Sequence, residues 1–320
     1  MKERPDGPLH IKYRPKNFDE VIGNSSTIKM LKSVLGRDTG IPHAMLFAGP
    51  SGCSKTTLCR IIKEEMGCAN IDFVEYNAGN TRGIDTIREI RSLATLQPKG
   101  GKVKIYLLDE VHALTKDSMR ALLKLLEDPP KRTYFLLATT DPQDLIKPLF
   151  NRCTKFYVEQ LKSSEIKKLL LWVLEEEGDE TISNKVISEI VRVSDGCPRD
   201  ALVTLDSIID LDNEDEMIDA IKDSTVDQSS VKELCKALIA NTGGERKWKD
   251  IQEVLRNLKS DPERTRHAIL GYFKSAILNE KTTLERAGHF GSIAECFEQP
   301  LYNTGVSGLT LCCLRAVLED

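Results

Sequence analysis

The sequence lacks any apolar run approaching the roughly 18 residues of a membrane helix, so no helical span is expected. It also lacks the look of a secreted chain: the opening MKERPDGPLH is charged and contains proline. A cytoplasmic location away from any membrane is the expectation. The nine cysteines show no C-x-x-C spacing and are scattered over 320 residues, unlike a small disulfide framework. Free, mostly buried thiols are expected, the vicinal Cys312 and Cys313 among them, and a zinc site is not. Strong charge of one sign is missing as well. A net charge of −4 gives no global pull toward nucleic acid, so any DNA contact must come from a local basic face. There is no repeat of fixed period and no low-complexity tract. What remains is 40% hydrophobic and 29% charged residues, a composition and length that suit two or three globular domains.

Between about residues 40 and 158, strand-like and helix-like patterns alternate. HAMLFAG (43–49), IDFVEYN (71–77), VKIYLLDE (103–110) and TYFLLATT (133–140) are apolar runs of strand length, and TKFYVE (154–159) is a fifth candidate. Runs with little polar alternation predict strands covered on both faces. Helical patterns lie between them in KTTLCRIIKEEM, IDTIREIRSLATL and DSMRALLKLLE. This alternation predicts an α/β fold with a parallel, doubly wound sheet. After residue 160 the strands stop. SSEIKKLLLWVLEEEG, with Ser163 or Ser164 as a cap, SNKVISEIVRVSDG, and PRDALVTLDSIIDL, opening at Pro198, predict a small helical domain. An acidic stretch at 212–230 leads to a third region that reads as helix after helix. The expected division is 1–160, 161–225 and 226–320.

The most informative short segment is GPSGCSKTT (49–57), placed between the first strand and its helix, where such sheets bind phosphate. It matches G-x-x-x-x-G-K-[ST] at Gly49, Lys55 and Thr56 but carries Ser54 where glycine is expected. If that position needs positive φ, a Cβ costs about 1–2 kcal/mol, which weakens the site without abolishing it. The third strand ends in Asp109 and Glu110. The aspartate can hold Mg²⁺ together with Thr56, and the glutamate can polarise an attacking water. The fourth strand ends in Thr139, Thr140 and Asp141, a hydroxyl beside the same phosphate edge. Arg152, in NRC, reads as a solvated surface charge or as a finger reaching a neighbour's γ-phosphate, and Arg199 opens a helix that can close over the nucleotide.

These motifs together resemble an AAA+ ATPase subunit of a sliding-clamp loader, from about residue 9 to 320. KYRPKNFDEVIG (12–23) is similar to the adenine-side box of replication factor C small subunits, and NAGNTRGIDTIREI (77–90) to their Arg-Gly-Ile-Asp stretch. LLDEVHALT, ALLKLLEDPP, FLLATTDPQ and NRC are similar to the bacterial gamma/tau subunit. The resemblance implies an AAA+ domain (1–160), a helical lid (161–225) and a helical oligomerisation collar (226–320). It implies ATP and Mg²⁺, with Tyr13, Arg14, Val21 and Ile22 on the base side and Gly49, Gly52, Cys53, Ser54, Lys55, Thr56 and Thr57 on the phosphates. Asp109 and Glu110 are then the Walker B pair, Thr140 sensor 1, Arg152 the trans finger and Arg199 sensor 2. Three departures stand out: Ser54, Asn151 in place of the usual serine before Arg-Cys, and the missing four-cysteine zinc insertion of gamma/tau. The mixture of motifs suits a phage or archaeal-type loader, acting at a replisome in the cytoplasm.

A loader implies a sliding clamp, further subunits in a pentamer, primer-template DNA and, indirectly, the replicative polymerase. Arg82, expected just before the helix after the second strand, and Arg88 and Arg91, expected along its first turns, are the candidates for DNA phosphates, without sequence readout. Leu114, Thr115 and Met119 are the candidates for the clamp, although apolar spacing alone assigns most of that helix to the core. An ATP-binding but catalytically weak subunit of the same assembly is the main alternative, supported by Ser54. Another AAA+ DNA-remodelling ATPase is a second one. An unfoldase would need an aromatic-hydrophobic-glycine pore loop where this chain has AGNTRGID, and a branch-migration helicase would need a winged-helix third domain.

Overall fold

The computed structural model describes residues 7–38, 40–80, 83–179, 181–224, 228–240, 243–258, 262–279, 282–301 and 305–318. The chain divides into two compact units, Met1–Met217 and Ile218–Asp320.

The first unit opens with α1 (Leu9–Lys12) and α2 (Ser25–Leu35), then alternates β1 (Ala44–Ala48), α3 (Lys55–Glu65), β2 (Phe73–Asn77), α4 (Ile84–Ala94), β3 (Lys104–Asp109), α5 (Lys116–Glu127), β4 (Thr133–Thr139), α6 (Lys147–Arg152) and β5 (Thr154–Tyr157). The five strands form one parallel sheet in the order β2-β3-β4-β1-β5. The inner strands β1, β3 and β4 read as continuous apolar runs because helices cover both faces, whereas the edge strands β2 and β5 are partly exposed. Along β1, Ala44 and Leu46 join one core with Tyr106, Leu108, Phe135, Leu137 and the apolar faces of α4 and α5. Met45 and Phe47 point the other way and pack with Ile105, Leu107, Leu136, Phe156 and residues of α2 and α3. Each such Leu or Phe contributes about 1.5–3 kcal/mol by burial.

Three further helices, α7 (Ser163–Glu177), α8 (Asn184–Val193) and α9 (Pro198–Ile208), pack on one another in the same unit, and α1 packs on α9. Pro198 occupies the first turn of α9, as expected. Ser163 is already helical; the α7 start is closed instead by Glu165, whose carboxylate accepts the Lys162 amide at 2.8 Å. A tenth helix, α10 (Glu214–Ser224), follows.

The second unit contains α11 (Gln228–Ile239), α12 (Gly244–Asn257), α13 (Pro262–Ile277), α14 (Leu284–Glu295) and α15 (Gly305–Leu318) around Leu234, Ile251, Phe273, Phe297 and Leu309. No strand occurs among its described residues. All nine cysteines are free thiols and eight are buried. Burial pushes the Cys153 and Cys235 thiols up to about 12. No helix among the described residues is long and apolar enough to cross a membrane.

Candidate functional site

A cleft of about 360 Å³ lies against the C-terminal edge of the sheet. Its wall is drawn from three parts of the first unit: the loop before α3, the ends of β2 and β3, and the N-terminal segment with α7 and α9.

The loop folds as its glycines require. Gly52 sits at φ +70°, and a Cβ there would stand 2.3 Å from the Cys197 sulfur. A Cβ on Gly49 would stand 2.0 Å from the Val158 carbonyl oxygen. Ser54 is held at φ 72°, ψ 15°, the left-handed region, so the condition for strain at this position is met. Lys55, the first residue of α3, is 5% exposed, and its ammonium donates to the Gly49 and Pro50 carbonyls at 2.9 and 2.8 Å. Burial lowers its pKa, against the Glu110 and Asp109 carboxylates, which raise it.

Residue Thr56 donates its hydroxyl to the Asp109 carboxylate at 2.8 Å, and the other Asp109 oxygen accepts the Glu110 amide at 3.0 Å. Glu110 itself turns the chain at φ 52°, ψ 43° and lines the cleft. Such turns are concentrated at functional sites. Opposite these carboxylates stand Arg14, Arg60 and Arg199. Arg60 is paired with Glu75 at 2.9 Å, whereas Arg14 and Arg199 form no ion pair among the described residues. Burial first, and then the charges of Arg60 and Arg199, lower the Arg14 pKa, against Glu75, which raises it.

Tyr13, Val21 and Ile22 line the cleft with Leu169 and Trp172 of α7. Tyr13 meets Trp172 edge-on at 5.3 Å and donates its hydroxyl to Glu177 at 2.7 Å. Burial, then the bond to Glu177, pushes this phenol up to about 12. His10 also lines the wall, and its Nδ1 is buried without a hydrogen-bond partner, alone in this among the described side chains. The donor set fits a magnesium nucleotide: hard oxygens from Thr56 and Asp109, a glycine cradle, unpaired guanidinium groups and an aromatic-aliphatic wall.

Several expected residues stand elsewhere. Gly49 and Cys53 shape the loop without facing the cleft, Gly49 pressed on Val158 and Cys53 2% exposed in the core under α3. Thr140 is not in the cleft wall; its hydroxyl donates to the neighbouring Asp141 carboxylate. Arg152 is also outside the cleft. It is exposed and donates to the Leu126 and Glu127 carbonyls at 3.0 and 2.7 Å, closing the C-terminus of α5. Leu114 and Met119, expected at a clamp surface, are 5% and 2% exposed and belong to the core, because the apolar face of α5 is spent on the sheet. Thr115 is exposed and caps α5. Arg82 lies outside the described residues. Arg88 is exposed and paired with Asp85 at 2.9 Å, and Arg91 falls in the last turn of α4 rather than the first. Sequence reasoning missed His10, Arg60, Glu75, Asn77, Leu169 and Trp172, which line the cleft, and His112, which touches Glu110 at 3.4 Å.

A parallel sheet in this order, with a phosphate-type loop after β1 and Asp109-Glu110 after β3, defines an AAA+ P-loop fold. Known structures agree: Thermotoga maritima RuvB, described as a Holliday junction branch migration motor, superposes with a TM-score of 0.58 at 23% identity, over 75% of this chain and 85% of that one. At that identity the likeness speaks for the fold alone. Residues 69–162 match the family described as DNA polymerase III, delta subunit. The DNA polymerase III subunit gamma/tau of Mycobacterium tuberculosis is 32% identical over 225 residues, 63% of this chain and 38% of that protein. Subunit tau of Bacillus subtilis is 28% identical over 294 residues, 84% and 51%, and subunit tau of Escherichia coli 30% over 257 residues, 72% and 39%. Over these segments the chain is similar in sequence to bacterial DNA polymerase III gamma/tau subunits. It spans between about two fifths and half the length of these three relatives.

Proposed function

We propose that the chain is an ATP-hydrolysing subunit of a sliding-clamp loader. In a pentamer with other loader subunits it would open a sliding clamp and place it on primer-template DNA for the replicative polymerase. The observation that carries this reading is the convergence of Lys55, the Thr56–Asp109 pair and Glu110 on one cleft that also holds Arg14 and Arg199. Names of the relatives, all DNA polymerase III subunits, supply the replication context.

On this reading the α3 amides and Lys55 bind the phosphates, whose charged oxygens compete well for an ammonium held by two carbonyls. Bound Mg²⁺, held by Thr56 and Asp109, would neutralise phosphate charge. Glu110 accepts the proton of the attacking water. Arg199 closes the cleft from α9, and Tyr13, Val21, Ile22 and Trp172 form the base side. Thr140 acts at the sensor position. Arg152 serves a neighbour's site, and its absence from its own chain's cleft favours that assignment over a cis role. Residues 1–160 form the ATPase domain, 161–225 the lid and 226–320 the collar. Arg88 and Arg91 track DNA phosphates, and Thr115 stands for the clamp-facing surface. The strained Ser54 favours one second reading, a subunit that binds ATP and turns it over slowly. Branch migration, which the fold likeness raises, is disfavoured because the described residues of 228–318 contain helices and no strand.

The test is ATP turnover with and without primed DNA and the cognate clamp, in wild type and Glu110→Gln. Turnover stimulated by DNA and clamp is expected, with a fall of at least about a hundred-fold in the variant at unchanged ATP affinity. Full turnover in Glu110→Gln would sink the assignment of the base.

A further inference from the structure

We propose that His112 is a positioning residue for Glu110, holding its carboxylate against the end of β4. The inference rests on reading Glu110 as the base for ATP hydrolysis. His112 follows Glu110 by two residues, in a one-turn 3₁₀ segment, Val111–Ala113. Its Nδ1 lies 3.4 Å from Glu110 Oε2 and 3.0 Å from the Thr139 hydroxyl, while Nε2 lies 3.9 Å from Asp141 Oδ2. Among the described residues, no other side chain is within ion-pair reach of the Glu110 carboxylate.

The anchor beneath the imidazole is firm. Thr139 is 0% exposed, ends β4, and accepts the Asp141 amide at 3.0 Å on the same hydroxyl oxygen. With its hydrogen on Nδ1, the ring donates to Thr139, and the same edge of the ring faces the Glu110 carboxylate at 3.4 Å, setting the β3 end against the β4 end. Glu110 needs such a contact. Its left-handed backbone fixes where the side chain starts, but the side chain has further rotatable bonds beyond Cα–Cβ and is 35% exposed. A base that wanders by an ångström loses about a hundred-fold in rate. His112 removes that freedom from a side, 17% exposed, that water reaches poorly. A purely structural histidine, stitching two strand ends together, would show the same bond to Thr139. The two roles differ in whether the effect of His112 passes through Glu110.

The decisive experiment is a double-mutant cycle on the full chain, under conditions where wild type turns over ATP, with His112→Ala, His112→Asn, Glu110→Gln and the His112→Ala/Glu110→Gln pair. His112→Ala is expected to lower kcat about ten- to a hundred-fold, with KM and calorimetric ATP affinity within about twofold of wild type. His112→Asn, whose amide can donate from the Nδ1 position, recovers most of the loss. In the Glu110→Gln background, His112→Ala adds no further loss. A readout independent of turnover is available because the chain has five histidines: the imidazole resonance that disappears in His112→Ala is expected to shift in Glu110→Gln. Wild-type kcat in His112→Ala overturns the proposal, as does an equal loss in the Glu110→Gln background or an unmoved His112 resonance. If His112→Ala melts early, the asparagine variant and the resonance carry the test. A wild-type chain that binds ATP without hydrolysing it, even with DNA and clamp, overturns the reading of Glu110 instead.

Discussion

Restoring glycine at position 54 would remove a Cβ from backbone held at φ 72°, ψ 15°. A side chain in that region costs about 1–2 kcal/mol, and glycine's extra freedom in the unfolded chain takes back about 0.5–1 kcal/mol. The net gain is therefore between zero and about 1.5 kcal/mol. No bond leaves with the hydroxyl. Ser54 precedes α3 at the capping position, yet its positive φ turns it out of capping geometry and it makes no capping bond. Thr115, at φ −64°, ψ 155°, does cap its helix, accepting the Ser118 amide at 3.2 Å. At about 2–4 °C per kcal/mol for a domain of this size, Ser54→Gly is expected to raise Tm, by up to about 6 °C. Ser54→Ala keeps the Cβ and is expected to leave Tm unchanged. Affinity receives only the part of the strain that nucleotide binding itself imposes, so tightening is bounded at about thirty-fold, the equivalent of 2 kcal/mol. Scanning calorimetry of both variants, with titration calorimetry of ATP, separates the two effects. An equal rise in Tm for Ser54→Ala and Ser54→Gly, or a fall for Ser54→Gly, would refute the strain argument.

Three further outcomes are expected. Arg152→Ala and Lys55→Ala subunits, each inactive in homogeneous complexes, are expected to regain ATP turnover when mixed, because one interface then pairs an intact loop with an intact arginine; a finger is worth about 10³-fold or more, and mixed complexes verified by mass that stay inactive would reject the trans assignment. Met119→Ala is expected to lower stability by about 2–5 kcal/mol in urea titration, since the side chain is 2% exposed in the core; loss of clamp binding at full stability would reverse that placement. Asp72 is 1% exposed and accepts the amides of Lys99, Gly100 and Gly101 at 2.7, 2.8 and 2.8 Å. Burial pushes its carboxyl up, but those amides and Lys104 together hold it below the usual range. Asp72→Asn is expected to cost about 1–3 kcal/mol by facing a donor with a donor. With the folded pKa depressed, that wild-type advantage is full above about pH 4 and disappears as pH falls through the folded value, which paired urea titrations from pH 7 to 3 would follow.

The inner strands were legible because helices cover both faces of the sheet there: HAMLFAG carries no polar alternation for the reason that Leu46 and Phe47 both meet a core. The loop and the Asp109-Glu110 pair were legible because phosphate binding constrains residue type at fixed spacing. Leu114 and Met119 were not, since an apolar helix face reads the same whether it packs on its own sheet or on a partner. His112 and Thr139 are 27 residues apart in sequence, and only the parallel register of β3 on β4, Leu108 opposite Leu137, brings the two strand ends together. No local spacing encodes that meeting.

The arginines show the same limit and add a physical consequence. Arg14, Arg60 and Arg199 come from three distant segments; the motifs pointed to Arg14 and Arg199, whereas Arg60, within the pattern of α3, reads as a solvated surface charge. Folding brings them to one cleft, where burial and their mutual repulsion lower the Arg14 pKa and where Arg199 adds to the lowering of Lys55. Holding the part-buried Arg14 near two like charges raises the free energy of the native state, and Glu75, paired with Arg60, offsets part of it. A polyanionic phosphate chain relieves the remainder, because charge-assisted bonds form where like charges had been held together. The repulsion stored in the fold is thus returned on binding, and a ligand that binds only the native state stabilises it by RT ln(1 + [L]/Kd). Added salt acts on both sides of this balance, screening the arginines from one another and from the phosphates. On the proposed reading, affinity for nucleotide and the repulsion around Arg14 are thereby linked, through where the segment after α1 and helices α3 and α9 deliver their arginines.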